Sequence, residues 1–164
     1  MWTWILAAML VGCGPATKRL SDDEFDHYYA LRVFMNEDQK KTYLKMKTRE
    51  ERDTYLKENG LWDRFYQYDE AKREMILTEA PARGWTKDML YMSLGAPYDQ
   101  GRLVGRKAAR SQRLVYRFEQ QEDGSVLVWQ QGSKTEYKAV RLFTREYIVD
   151  DDVITEINEE TTSW

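Results

Sequence analysis

Residues 1–12, MWTWILAAMLVG, are apolar throughout and carry no charge. From Ser21 the apolar positions spread to the three- and four-residue spacing of amphipathic helices. From Arg113 they alternate instead. Leu114, Tyr116 and Phe118 fall between Arg113, Arg117 and Glu119, the period of a half-buried strand. Helices first and antiparallel strands after predict an α+β fold.

Three helix starts are written into the charged region. Ser21 precedes Glu24, Asn36 precedes Gln39, and Thr48 precedes Glu51. Each pair sets a short oxygen acceptor at the N-cap and a Glu or Gln three residues on, which satisfies orphan N–H groups reciprocally. Short helices are predicted over 22–34, 37–46 and 49–58, with Gly60 fit for a left-handed stop. Residues 61–79 predict one long helix. Leu61, Phe65, Tyr68 and Met75 share a side, Trp62, Tyr66 and Ile76 lie beside them, and Pro81 ends the run. This aromatic stripe reads as core, with a ligand groove as the alternative.

The stretch 84–97, GWTKDMLYMSLGAP, predicts a second helix of this body. Thr86 is its N-cap, and Asp88 sits in the first turn against the helix dipole. Leu90 and Leu94 form one face, and Gly95 and Pro97 stop the helix. A phosphate loop needs its glycines packed ahead of the helix after a strand. Gly84 alone precedes the helix, so that reading is set aside.

Strands are predicted at 113–120, 126–129 and 135–143, with a short edge strand at 147–149. Asp123-Gly124 and Gly132-Ser133 supply turns. The organisation expected is a helical N-terminal extension (21–60), a domain of two helices on a three- to four-stranded antiparallel meander (61–150), and an acidic tail (151–164) that frays at its end.

Charge and rare residues narrow the chemistry. The 164-residue chain has a net charge of −3, which gives no bulk electrostatic case for nucleic acid. It holds one cysteine, Cys13, and one histidine, His27. An internal disulfide is impossible, and no Cys/His zinc pattern exists. No nucleophile elbow, zinc-protease helix or calcium loop is present. The expectation is a non-catalytic protein with no cofactor and no metal, and His27 reads as a surface or partly buried residue. The segment 101–117 carries Arg102, Arg106, Lys107, Arg110, Arg113 and Arg117 without an acid, and 146–160 carries seven acids without a base. These runs are candidates for contact with anionic headgroups, for pairing with each other or with a protein partner, or for plain solvation.

The N-terminal run would span roughly 18 Å as a helix, short of a hydrocarbon core of roughly 30 Å. It reads as the h-region of a signal peptide (1–12), although no Lys or Arg precedes it. It ends in Leu10-Val11-Gly12-Cys13, which resembles the lipobox of bacterial lipoproteins. The resemblance implies cleavage before Cys13, a diacylglycerol thioether on its sulfur and an acyl chain on its amine. Several chains give stable anchoring. Gly14 stands where Asp favours inner-membrane retention in enteric bacteria, so the outer membrane, facing the periplasm, is expected. Residues 14–20 read as a tether reaching at most about 25 Å.

Gly84, Thr86, Lys87, Leu90, Leu94, Gly95 and Pro97 resemble the motif of the SmpA/OmlA (BamE) outer-membrane lipoproteins. That family's small domain runs helix, helix, three antiparallel strands. The resemblance implies a lipid-anchored accessory or scaffold role, linked to outer-membrane protein assembly, with an envelope protein as partner. The chain departs from the pattern in its 21–60 extension, in Trp85 and in the basic loop 98–112. A weaker resemblance, through Gly84-Trp85 and the preceding helical segment, is to proteins with the GWxTD motif. The alternative function is a solitary periplasmic lipoprotein that binds a ligand or peptide.

Overall fold

The computed structural model describes residues 16–129 and 139–161. It is an α+β structure in which six α-helices precede a five-stranded antiparallel sheet among these residues. All three predicted helix starts form. α1 (Asp22–Leu31) opens on Ser21, whose backbone N–H and hydroxyl both donate to the Glu24 carboxylate. A 3-10 turn, Arg32–Phe34, continues it. α2 (Glu37–Lys45) opens on a reciprocal pair, with Asn36 and Gln39 exchanging backbone-to-side-chain bonds of 2.9 Å. α3 (Arg49–Glu58) opens on Thr48 and Glu51 in the same way. Gly60, at φ 66°, turns the chain out of α3 in the left-handed region.

The long helix expected over 61–79 is two helices. α4 (Leu61–Tyr66) stops, and α5 (Glu70–Thr78) restarts on Asp69, whose carboxylate accepts the Lys72 backbone N–H at 2.9 Å. A new N-cap outweighs continued periodicity here because it satisfies donors that a helix start would leave orphaned. Leu61, Phe65 and Ile76 remain buried across the break and Trp62, Tyr68 and Met75 pack partly buried on the same core, while Tyr66 is exposed.

α6 (Lys87–Leu94) is the central helix. Met89, Leu90, Met92 and Leu94 are all buried on it, as is Ser93. Its stop, Gly95, has φ 81°, and its carbonyl accepts the Tyr116 hydroxyl at 2.9 Å. Tyr29 of α1 donates its hydroxyl to the Ser93 carbonyl at 2.8 Å. Arg64 of α4 lies over the Phe34 ring and pairs with Asp88 at 3.0 Å. Tyr29 thus ties α1 to the end of α6, and Arg64 links Phe34, in the 3-10 turn after α1, to Asp88 in the first turn of α6. Ala30 and Leu31 of α1 join the same hydrophobic core as the sheet residues Leu114, Tyr116 and Tyr147.

The sheet order is β1 (Asp99–Leu103), β2 (Ser111–Gln120), β4 (Arg141–Asp150) and β5 (Val153–Thr161). β3 (Val126–Val128) pairs with the far end of β2. Several expectations change. Of residues 126–129, Val126–Val128 form a short edge strand, beyond β1. The strand expected at 135–143 lies partly outside the described residues. Its described end belongs to β4, which also absorbs the supposed edge strand 147–149 and is central. The basic segment begins in a strand, β1. The acidic tail forms the edge strand β5 as far as Thr161, and the rest of the end expected to fray, 162–164, lies outside the described residues. β5 was hidden because a bulge breaks its alternation: Ile157 faces Tyr147 and Ile154 faces Val149, three residues apart against two. Its remaining acids suit a protected edge.

Candidate functional site

The motif residues 84–87 lie against the turn that joins β4 to β5. Gly84, at φ 88°, donates its N–H to the Ile154 carbonyl at 2.8 Å, and Ile154 donates to the Trp85 carbonyl at 2.8 Å. Lys87 donates its N–H to the Asp152 carbonyl at 2.8 Å. Trp85 is buried under this seam. Thr86 caps α6 by accepting the Met89 N–H at 3.2 Å, and its hydroxyl also bonds the Tyr68 hydroxyl at 2.8 Å. Leu90 and Leu94 are core, Gly95 is the helix stop, and Pro97 follows it into β1. The motif is thus one joint between a helix start and a hairpin.

The hairpin turn is Asp151-Asp152, with φ of 45° and 67°. Positive φ at both positions is the mark of a type I′ turn, and Asp tolerates it better than most residues. The basic segment holds this turn. The Asp151 carboxylate accepts the Arg110 backbone N–H at 2.9 Å, and Arg110 pairs with Asp152 at 2.9 Å. Arg106 grips Asp150 with two nitrogens, at 3.0 and 2.7 Å, and reaches Glu156 at 2.5 Å. Ser111 and Thr155 add hydroxyl bonds to Asp150 at 2.5 and 2.7 Å. The Arg106 guanidinium first, then these hydroxyls, hold the Asp150 carboxyl well below the usual carboxylate range. Arg106 is raised in turn, chiefly by Asp150 and then by Glu156.

Of the six basic residues of 101–117, three form ion pairs within the fold, and Arg117 lies over the Tyr98 ring, 3.5 Å from its centre. Arg106 and Arg110 hold the acidic turn, and Arg113 pairs with Asp99 at 2.8 Å and Glu146 at 3.3 Å. Arg102 and Lys107 make no ion pair among the described residues. The basic and acidic runs therefore pair largely with each other, the second of the three readings.

Beside this joint lies a groove of about 550 Å³, lined by Lys87, Gln100, Arg102, Arg110, Ser111 and Gln112 among others. Lys87 donates its ammonium to Gln112 Oε1 at 2.7 Å and lies 5.3 Å from the Tyr91 ring centre. Lys87 meets Gln112 because β2 runs beside the start of α6, which no local pattern announces. A second, shallower depression of about 860 Å³ runs along α2 and α3, lined by Lys45 and Lys47 as well as Glu50, Glu51 and Glu58. Its mixed charge selects no ligand chemistry.

His27 is buried, at 3% exposure, not at the surface. Its Nε2 lies 2.7 Å from the Tyr66 hydroxyl, and Trp62, Phe65 and Tyr66 surround the ring. Burial lowers its pKa, with Asp53 opposing the shift. No group of His, Cys, Asp and Glu suited to a metal occurs among the described residues. Cys13 lies outside those residues. Of the predicted tether, Thr17 is buried and Leu20 packs on the core, so residues 17–20 belong to the folded body and not to a tether.

Compared with protein-family models, curated proteins and solved structures, the chain matches none.

Proposed function

We propose that the protein is a lipid-anchored lipoprotein of the cell envelope, at the outer membrane and facing the periplasm. It acts there as a non-catalytic accessory or scaffold with a protein partner. The carrying observation is the placement of Leu10-Val11-Gly12-Cys13 at the end of an uncharged apolar run, four residues ahead of Thr17, which is buried in the folded body. A body that close to a lipidated cysteine is held against the headgroups. The likeness of residues 84–97 to the SmpA/OmlA (BamE) motif supports a place in outer-membrane protein assembly. The motif's use as a packing joint suits a scaffold, since its residues support shape and carry no chemical step.

The alternative of a ligand face on residues 61–76 is the less favoured reading, because Leu61, Phe65 and Ile76 are buried and Tyr66 alone of the stripe is exposed. The test is metabolic labelling with radioactive palmitate, followed by membrane fractionation. The native chain incorporates label and floats with outer membranes, and Cys13→Ser does neither. Equal membrane association of both, with no label in either, would end the proposal. In-envelope crosslinking and pull-down of the native chain then separates a complex member from a solitary protein.

A further inference from the structure

We propose that the groove between the first turn of α6 and strands β1 and β2 binds an oxyanion, the phosphate or carboxylate group of a small ligand. The side-chain hydrogen-bonding groups left over in this groove are donors. Lys87 can only donate, so its 2.7 Å bond to Gln112 occupies Oε1 and fixes the orientation of that amide. The Gln112 NH₂ makes no hydrogen bond among the described residues. Gln100 is arranged alike: the Tyr91 hydroxyl donates to its Oε1 at 3.3 Å, and its NH₂ is left over among the described residues. The Ser111 hydroxyl is committed to Asp150 at 2.5 Å. The carboxylates next to these lining residues are engaged within the fold: Asp150 by Arg106 and Ser111, Asp151 by the Arg110 backbone N–H, and Asp152 by the Arg110 side chain.

Charge points the same way. Lys87, Arg102 and Arg110 line the groove. The acid next to Lys87 in sequence, Asp88, is held by Arg64. Lys87 thus has a neutral amide where an ammonium commonly meets a carboxylate, and Arg102 has no acid among the described residues. Two amide NH₂ groups and a cation excess match an anion that accepts several hydrogen bonds, and charge-assisted bonds are the stronger kind. A neutral or cationic ligand would leave these donors and charges unanswered.

Equilibrium dialysis of the full-length chain in detergent against radiolabelled inorganic phosphate, at low ionic strength, tests the site. Saturable binding is expected, with a Kd of about 1 mM or tighter. R102Q and K87Q should each weaken it at least tenfold, while K107Q, an exposed cation outside the groove, should leave it unchanged. R102Q should melt as the native chain does, since Arg102 is exposed and makes no ion pair among the described residues. Phosphatidylglycerol vesicles that compete with phosphate for the native chain, and fail to bind R102Q, would support the site with a headgroup as its source. Vesicles that do not compete would support it with a soluble ligand. Absence of saturable binding overturns the proposal, as does R102Q binding like the native chain or K107Q losing as much as R102Q. Cys13→Ser is read separately, so loss of the anchor and loss of the groove are distinguishable.

Discussion

Lys87 donates its backbone N–H to the carbonyl of Asp152 at 2.8 Å, which ties the first residue of α6 to the second residue of the β4–β5 turn. The helix start and the sheet edge are one unit through this bond. Neighbouring bonds from Gly84 and Ile154 extend the seam. Damage to the α6 cap should therefore be felt at β5, sixty-odd residues along the chain.

Thr86→Ala removes the acceptor of the Met89 N–H and the partner of the Tyr68 hydroxyl. A lost N-cap costs about 0.5–2 kcal/mol. The part-buried Tyr68 hydroxyl also loses its bond, so the upper half of that range is expected in urea unfolding. Thr86→Ser should recover most of the loss. Hydrogen exchange of the Ile154 amide should quicken in Thr86→Ala. An unchanged urea midpoint would show that the cap is not the joint described.

Arg106→Gln should make stability less dependent on acid. In the native chain the Asp150 pKa is lowered, by Arg106 before any other group. A lowered carboxylate contributes stability that is fully present above its unfolded pKa of about 3.9, and that stability is lost as pH falls through the folded value. Without Arg106 the folded value moves back up toward the ordinary one, and most of the contribution disappears. The native chain should therefore exceed Arg106→Gln in stability at neutral pH, and the gap should shrink below about pH 4. Chemical unfolding at stepped pH measures it. A gap that stays constant down to strong acid would mean that Arg106 acts through packing alone.

His27 adds a second pH window, higher up. Its folded pKa is lowered, by burial first, while Asp53 opposes the shift. A lowered histidine means that the unfolded chain binds the proton more readily, so stability falls as pH drops through about 6.5 toward the folded value. His27→Phe keeps a ring among Trp62, Phe65 and Tyr66 and removes the titration. The stability slope between pH 7 and 5 should flatten in this variant. The slope is the readout, because loss of the Tyr66 bond also shifts the absolute stability.

What the sequence made legible was local. The pairs Asn36–Gln39 and Thr48–Glu51 span three residues, and both formed as capping boxes. Thr86 and Gly95 bounded α6 because one cap and one left-handed stop suffice to mark a short helix. The break in 61–79 was harder to see. Buried Leu61, Phe65 and Ile76 keep helical spacing across it, and Asp69 alone signals the restart. β5 was masked by its bulge and by its acids, which suit an edge as well as a tail. The pairing of Arg106 with Asp150 joins residues 44 apart, so no window of local pattern could select it from the other readings. An acidic triplet between Ile148-Val149 and Val153-Ile154 was the available sign of a hairpin.

The first helices depend on a buried ion pair. Glu24 and Arg52 meet at 2.5 Å with each residue 5% exposed, joining α1 to α3. Arg52 also donates to the Met46 carbonyl, and the second carboxylate oxygen of Glu24 holds the Ser21 cap. Glu24→Gln leaves the Arg52 charge buried without its counter-ion, and breaking a buried pair in this way costs about 3–5 kcal/mol. Desolvating both charges is itself costly, so an apolar pair of similar volume avoids that penalty. The double variant Glu24→Leu/Arg52→Met should therefore be more stable than Glu24→Gln, although the Ser21 cap is lost with the carboxylate. A double-mutant cycle in urea should give a coupling of about 0.5–3 kcal/mol for contacting residues. If Glu24→Gln cost less than about 1 kcal/mol, water would be reaching Arg52, since an exposed pair contributes little. α1 and α3 would then be held by Leu31, Tyr43 and Leu56 rather than by charge.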